Sequence, residues 1–109
     1  MSSTRRGGED THLYPGFIRL HVLHHAAEQP VFGLWMIEEL ARHGYRLSPG
    51  TLYPVLHGLE AREYLRSRVV RSPDGGRRRL YRITPAGRRA LDAAKLKVRE
   101  LFGELFEHE

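Results

Sequence analysis

The stretch Ser48-Pro49-Gly50-Thr51-Leu52-Tyr53-Pro54-Val55-Leu56-His57-Gly58-Leu59-Glu60 constrains this chain more than any other. Ser48 is a helix N-cap residue, and Pro49 suits the first helical position, where a missing N–H costs nothing. Leu52, Val55, Leu56 and Leu59 then recur at i, i+3, i+4 and i+7, one apolar stripe of a short helix. Gly50, Tyr53, Pro54 and His57 share that spacing on the opposite side. One face can pack on a core while the other presents small residues, an aromatic and a histidine. Pro54 lies past the first turn, removes a helix hydrogen bond and presses on the carbonyl of Gly50. Such breaches of local rules concentrate at functional or strained sites.

Upstream, Leu13 to Ala27 reads as a helix, with Phe17, Leu20, Leu23 and Ala27 on one side and Ile18 and Val22 beside them. Gln29-Pro30 ends it. Gly33 to His43 reads as the next helix, with Leu34, Ile37, Leu40 and Ala41 on its core face and Gly44 as the stop. Trp35 falls off that stripe, either as packing or as a stacking surface for a flat ligand. Tyr45-Arg46-Leu47 leads to Ser48, so two helices joined by a Gly-containing turn form a helix-turn-helix candidate.

Downstream, Tyr64 to Arg71 and Arg77 to Ile83 are rich in β-formers, and Ser72-Pro73-Asp74-Gly75-Gly76 between them is a turn. The pair reads as a β-hairpin, with Leu65 and Val69 on one face and Arg66 and Arg68 on the other. From Arg62 to Arg89 there are ten arginines and two acids, so ten less two gives a local +8, against +5 for the 109-residue chain. A basic hairpin directly after a helix-turn-helix has the form of the wing of a winged helix. Arginine suits phosphates and a narrow minor groove. Arg77, Arg78 and Arg79 follow the Gly75-Gly76 turn, which as glycine offers them no fixed frame.

Thr84-Pro85 is a second N-cap with proline at the first helical position, starting a helix to about Glu107. Leu91, Ala94, Val98, Leu101 and Leu105 step by 3, 4, 3, 4, an a/d seam widened by Phe102 and Phe106. A terminal helix this apolar on one side folds back on its own domain or pairs with a second copy. Glu100, Glu104, Glu107 and Glu109 gather at this end, so charge is split between a basic, DNA-like half and an acidic, subunit-like end.

A second constellation lies on the first helix. His21, His24 and His25 cluster at helical spacing, and His21 and His25, at i and i+4, have the separation two imidazoles need to share one metal. The bland alternative is a set of exposed or half-buried histidines. A third ligand is not identified by the sequence.

At this length the chain is one domain by size. The domain expectations are a flexible arm over residues 1–12, a helix-turn-helix with its wing over 13–84, and a dimerisation helix over 85–109. Met1 to Asp10 carries no apolar residue apart from Met1 itself, and Arg5 and Arg6 could touch a phosphate backbone. The sequence pI of about 10.1 favours a polyanionic partner. There are no cysteines, which excludes disulfides and thiolate metal sites. No apolar run reaches membrane-spanning length and no signal-peptide core is present, so the cytoplasm is the expected compartment. No nucleophile–base–acid set, phosphate loop or paired carboxylates suggests an enzyme, and no cofactor is implied.

Leu47-Ser48-Pro49-Gly50-Thr51-Leu52-Tyr53-Pro54-Val55-Leu56, continued by Leu59-Glu60, resembles the helix-turn-helix signature of the PadR-like transcriptional regulators. Arg79-Leu80-Tyr81-Arg82-Ile83-Thr84-Pro85-Ala86-Gly87 resembles that family's second wing strand and following helix start. The resemblance runs from about Phe17 to Leu91, and one terminal helix is similar to the family's shorter members. Glu63-Tyr64 departs from the family's frequent Gly–apolar pair, His57-Gly58 stands where a basic residue is frequent, and Gly33-Leu34-Trp35-Met36 replaces a more usual Gly-Tyr pair.

The resemblance implies a mainly α fold with a small β-hairpin, a winged helix-turn-helix plus a long C-terminal dimerisation helix. It further implies a homodimeric repressor that binds pseudo-palindromic double-stranded DNA and is released by a small, often aromatic effector. Ser48, Gly50, Thr51, Tyr53 and His57 would then approach the DNA groove, and Arg77, Arg78 and Arg79 the backbone or minor groove. Leu91, Ala94, Val98, Leu101, Phe102 and Leu105 would form the dimer, and Trp35, Phe102 and Phe106 would meet an effector. Two alternatives stand beside it: a metal-responsive regulator using His21, His24 and His25, and a winged-helix module for protein or RNA.

Overall fold

The computed structural model describes residues 10–107. Arg5, Arg6 and Glu109, and most of the expected N-terminal arm, lie outside the described residues. A short turn at Thr11–Leu13, capped by the Asp10 carboxylate on the His12 N–H at 2.9 Å, leads into the first helix.

The order is α1 (Pro15–Glu28), β1 (Val31–Phe32), α2 (Gly33–Arg42), α3 (Pro49–Ala61), β2 (Leu65–Arg71), β3 (Arg77–Ile83) and α4 (Pro85–Phe102). The sheet is antiparallel in the order β1-β3-β2, with Val31 opposite Tyr81 and Leu65 opposite Ile83. The architecture is the expected one, helical with a small sheet and a long C-terminal helix. β1 was not expected. It is two residues long, follows a proline and pairs with a strand about fifty residues away, so no local period reveals it.

The core is Val22, Leu23 and Ala26 of α1, Val31, Met36 and Leu40 of α2 and its lead-in, Leu52, Leu56 and Leu59 of α3, Leu65, Tyr81 and Ile83 of the sheet, and Leu91 of α4. Removing such aliphatic side chains from water is worth roughly 1.5–3 kcal/mol each. Leu52, Leu56 and Leu59 fill the stripe read from sequence, and Val55 is half-buried at its edge.

The core face of α2 is rotated from expectation. Gly33, Met36 and Leu40 are buried, whereas Leu34 and Ala41 are exposed. Leu34, Met36, Ile37, Leu40 and Ala41 fit two phases of a ten-residue helix. Close packing of α3 on Gly33 selects the one that buries Met36. On α1 the packed face is also shifted, so that Phe17 is exposed toward a groove and His25 is buried.

Both helices of the helix-turn-helix end in the same hydrogen-bond pattern. After α2, Gly44 N–H donates to Ala41 O at 3.0 Å and Tyr45 N–H to Leu40 O at 2.9 Å, with Gly44 at φ +93°. After α3, Glu63 N–H donates to Glu60 O at 2.8 Å and Tyr64 N–H to Leu59 O at 2.9 Å, with Glu63 at φ 64°. This is a Schellman stop, which normally takes glycine. The corner at Glu63-Tyr64 is therefore kept without its usual residue.

Thr84 caps α4 through its hydroxyl on Gly87 N–H at 2.9 Å, and the same hydroxyl donates to Glu63 O at 2.6 Å. A side chain on Gly87 would run into the Tyr64 carbonyl and come within 2.7 Å of Ile83 Cγ1. Small size at Gly87 lets the first turn of α4 lie against the start of the wing. Arg88 then reaches back to the α1 carbonyl of Ala27 at 3.2 Å.

Leu91 is buried in its own domain, so it is a core residue and not the start of a free seam; Ala94 is half-buried. From Val98 onward α4 leaves the body, and Leu101, Phe102, Leu105 and Phe106 are exposed. The last turn, Gly103–Glu107, widens to π geometry, which breaks the 3-4 spacing before Leu105. The radius of gyration is 16.0 Å, against about 13 Å for a compact hundred-residue domain, as a projecting helix requires.

Candidate nucleic-acid interface

The exposed side of α3 begins at its capped end. Ser48 occupies the N-cap position, and its carbonyl accepts from Thr51 N–H at 3.0 Å and Leu52 N–H at 2.9 Å. Its hydroxyl does not cap the helix. It pairs instead with the Thr51 hydroxyl at 3.3 Å, so the two present a joint polar edge. Gly50, Thr51, Pro54 and His57 are exposed. His57 stands where the sequence departs from a frequent basic residue, and it is the imidazole that faces solvent there.

Tyr53 differs from its neighbours. It is half-buried, and its phenol ring fills the space a side chain on Gly33 would need, with Cζ 2.6 Å from such a Cβ. The ring is therefore held in place between α3 and the start of α2. Its other side opens to a concavity of about 640 Å³ that it shares with Phe32, Leu34, Val69 and the arginines Arg77, Arg78 and Arg79. The structure thus brings the tyrosine of the helix and the arginines of the wing to one surface.

The wing is braced. Ser72 N–H donates to Gly76 O at 2.8 Å and Gly75 N–H to Ser72 O at 2.9 Å. The Asp74 carboxylate accepts from Gly76 N–H at 2.9 Å and from the Ser72 hydroxyl. These bonds, the Ser72 hydroxyl first, hold its carboxyl below the usual carboxylate range. The expectation that the Gly75-Gly76 turn leaves the arginines without a frame is overturned by this network. Arg79 Nη1 donates to Ser67 Oγ at 3.1 Å, and Ser67 Oγ and N–H both donate to Glu60 Oε2, at 2.7 and 3.0 Å. Glu60 belongs to the last turn of α3, so one relay fixes the wing to the exposed helix. Sequence reasoning missed Glu60 and Ser67, because only the fold brings them together.

The chain has a second concavity, about 740 Å³, between α1 and α4, lined by Phe17, Leu20, His21, Tyr45, Val98 and Phe102 among others. Of the expected effector residues, Phe102 lines it. Trp35 does not; its ring packs edge-on against His25 at 5.7 Å, so within this chain the expected trio does not converge. Phe106 pairs with Phe102 at 5.0 Å.

The histidines are likewise divided. His24 is exposed beside Glu28 at 3.5 Å, while His21 and His25 turn toward His43, which follows α2. Burial first, then His43, pushes the His21 imidazole below its ordinary value. Burial lowers His25 too, against the opposing pull of Glu39.

Comparison with known proteins bears on the fold and the family. The Transcriptional regulator PadR-like family matches residues 22–93. Transcriptional regulator Rv3488 of Mycobacterium tuberculosis is 57% identical over 90 residues, covering 81% of each chain. A PadR family transcriptional regulator from Eggerthella lenta superposes with a TM-score of 0.76 at 29% identity, over 90% of this chain and 88% of that one. A PadR-like transcriptional regulator from Bacillus cereus has the same fold, with a TM-score of 0.76 at 24% identity, over 90% of this chain and 99% of that one. No helix among the described residues is long and apolar enough to cross a membrane. With its helix-turn-helix, its basic wing and a family match over most of its length, the chain belongs to the PadR-like family of transcriptional regulators, which are not enzymes.

Proposed function

We propose that the protein is a homodimeric repressor, acting in the cytoplasm, whose α3 enters the major groove of a pseudo-palindromic operator while its wing holds the flanking backbone. The observation that carries this reading is the shared surface of Tyr53 and Arg77, Arg78 and Arg79, fixed by the Glu60–Ser67–Arg79 relay. Ser48, Gly50, Thr51 and His57 extend that surface along α3. A helix held rigidly to a basic hairpin presents directional groups and charge at a constant spacing, which is what one register on a duplex requires.

Dimerisation is assigned to α4 beyond Ala94. Val98, Leu101, Phe102 and Leu105 are exposed on one helix, and the groove between α1 and α4 adds Phe17 and Leu20. A contiguous apolar face of this kind marks an interface. A planar effector would enter the same groove, where Phe102 offers a ring, and so compete with or reshape the subunit contact.

Footprinting on the DNA upstream of the protein's own gene tests the reading. A protected, two-fold symmetric site, bound far better than a scrambled duplex of equal length, is the expected result. Equal binding to both duplexes would instead favour a module that uses its basic wing on RNA or protein.

A further inference from the structure

His21 and His25 stand one turn apart on α1, their rings 6.0 Å apart. His43 comes from the end of another helix and brings a third ring to 4.7 Å from His21 and 5.6 Å from His25. One ring nitrogen of each lies within 4.8 Å of the other two. His25 is the informative member. It is 7% exposed, and its Nε2 has no hydrogen-bond partner among the described residues. A buried polar atom left unpaired is costly and calls for a reason.

The surroundings supply one. Glu39 Oε2 lies 3.1 Å from His43 Nε2 and 3.7 Å from His25 Nε2. On the other side of the His25 ring, Glu28 lies 3.8 Å from Nδ1. A carboxylate at the second ring nitrogen is the kind of partner that orients a metal-binding histidine, and Glu28 stands just beyond hydrogen-bond reach of that position. Three nitrogen donors without thiolate suit borderline divalent ions, zinc foremost.

We propose that His21, His25 and His43 form a site for a divalent cation of the zinc class, with Glu39 beside it to offset the charge. The ligand set ties α1 to the end of α2, immediately before the turn that feeds α3. Tyr45, in that turn, already rests its ring against His21 at 5.3 Å. A bound ion therefore clamps the helix-turn-helix to the helix that lines the α1–α4 groove. His24 lies outside the set.

The test uses the untagged, metal-free full chain and no DNA, so its failure leaves the repressor reading standing. Co²⁺ is titrated while the fluorescence of Trp35, the chain's one tryptophan, is followed. Its ring lies 5.7 Å from that of His25, close enough for quenching. Zn²⁺ is then added as competitor, and thermal melts are recorded with and without Zn²⁺. The expected result is saturation at one ion per chain in the micromolar range or tighter, reversed by Zn²⁺. His43→Gln and His21→Gln should each weaken it about ten-fold or more, and His24→Gln should not change it. Zn²⁺ should raise the melting temperature of the wild type and of His24→Gln but not of His43→Gln, since only a bound ion stabilises the folded state. Binding that survives both His43→Gln and His21→Gln, that is lost in His24→Gln, or that saturates only at millimolar ion would overturn the proposal.

Discussion

The phenol ring of Tyr53 occupies the space that any side chain on Gly33 would fill. This contact links the first residue of α2 to the middle of α3 and holds Tyr53 at the concavity that it shares with the wing arginines. Gly33→Ala should therefore displace the ring and mimic its removal. Operator binding by Gly33→Ala and by Tyr53→Ala should each fall by on the order of 1–3 kcal/mol, the worth of one good contact. The double variant should fall no further, because both changes remove the same interaction. Additive losses in a gel-shift titration would mean that Gly33 acts on something other than Tyr53.

The dimer assignment rests on the part of α4 that leaves the domain. Val98 and Leu101 are 46% and 44% exposed. Placing a carboxylate at both, Val98→Asp with Leu101→Asp, should convert a dimer to a soluble monomer by light scattering, with circular dichroism unchanged. Leu91→Asp should unfold the chain instead, since Leu91 is in the core. An intact dimer in the double variant would contradict the assignment.

Glu63 holds a left-handed backbone at φ 64° to complete the stop of α3. For an L-residue with a side chain this costs roughly 1–2 kcal/mol. Glu63→Gly removes that strain and gives back part of it as chain entropy. A net stabilisation of about 0.5–1 kcal/mol should appear in urea unfolding at unchanged m-value. A drop in stability would show that the Glu63 side chain contributes more than its backbone costs.

Tyr81 is 1% exposed, and its hydroxyl has no partner among the described residues. Burial, then Glu60, pushes its ionisation above the ordinary value. The unfolded chain therefore releases this proton first. The stability tied to it is fully present below about pH 10 and is lost as pH rises beyond that. Tyr81→Phe should be at least as stable as the parent at pH 7, by up to about 1 kcal/mol, and its alkaline unfolding limb should shift upward. Strong destabilisation at pH 7 would mean that the hydroxyl is satisfied in solution.

Where the chain marks its own boundaries, the fold was legible. Ser48-Pro49, Thr84-Pro85, Gly44 and the Ser72–Gly76 turn each act through neighbouring residues, and each sits at an element boundary. What escaped depends on partners distant in sequence. β1 exists only because β3 accepts it. The phase of α2 is chosen by Tyr53 on Gly33. Leu91 reads as a seam residue until the first turn of α4 is seen packed on Tyr64. In the candidate interface, Thr51, Tyr53 and the wing arginines were visible as residue types. The Glu60–Ser67 relay that fixes them relative to one another was not. His43 was hidden for the same reason, eighteen residues and a helix away from His25.

If α3 reads sequence while the wing supplies charge, the salt dependence of binding separates the two. Phosphate contacts release counterions and base contacts discriminate. Binding of operator and scrambled duplexes should be measured across a salt series for the parent, for Arg77, Arg78 and Arg79 all changed to Ala, and for Thr51→Ala. The arginine variant should weaken on both duplexes, its salt slope shallower by about 0.9 for each phosphate no longer neutralised. Thr51→Ala should weaken by on the order of 1–3 kcal/mol on the operator alone and keep the parent slope. If the arginine variant ceases to discriminate at an unchanged slope while Thr51→Ala still discriminates, the wing is the reader and α3 the anchor, the reverse of the roles assigned to them.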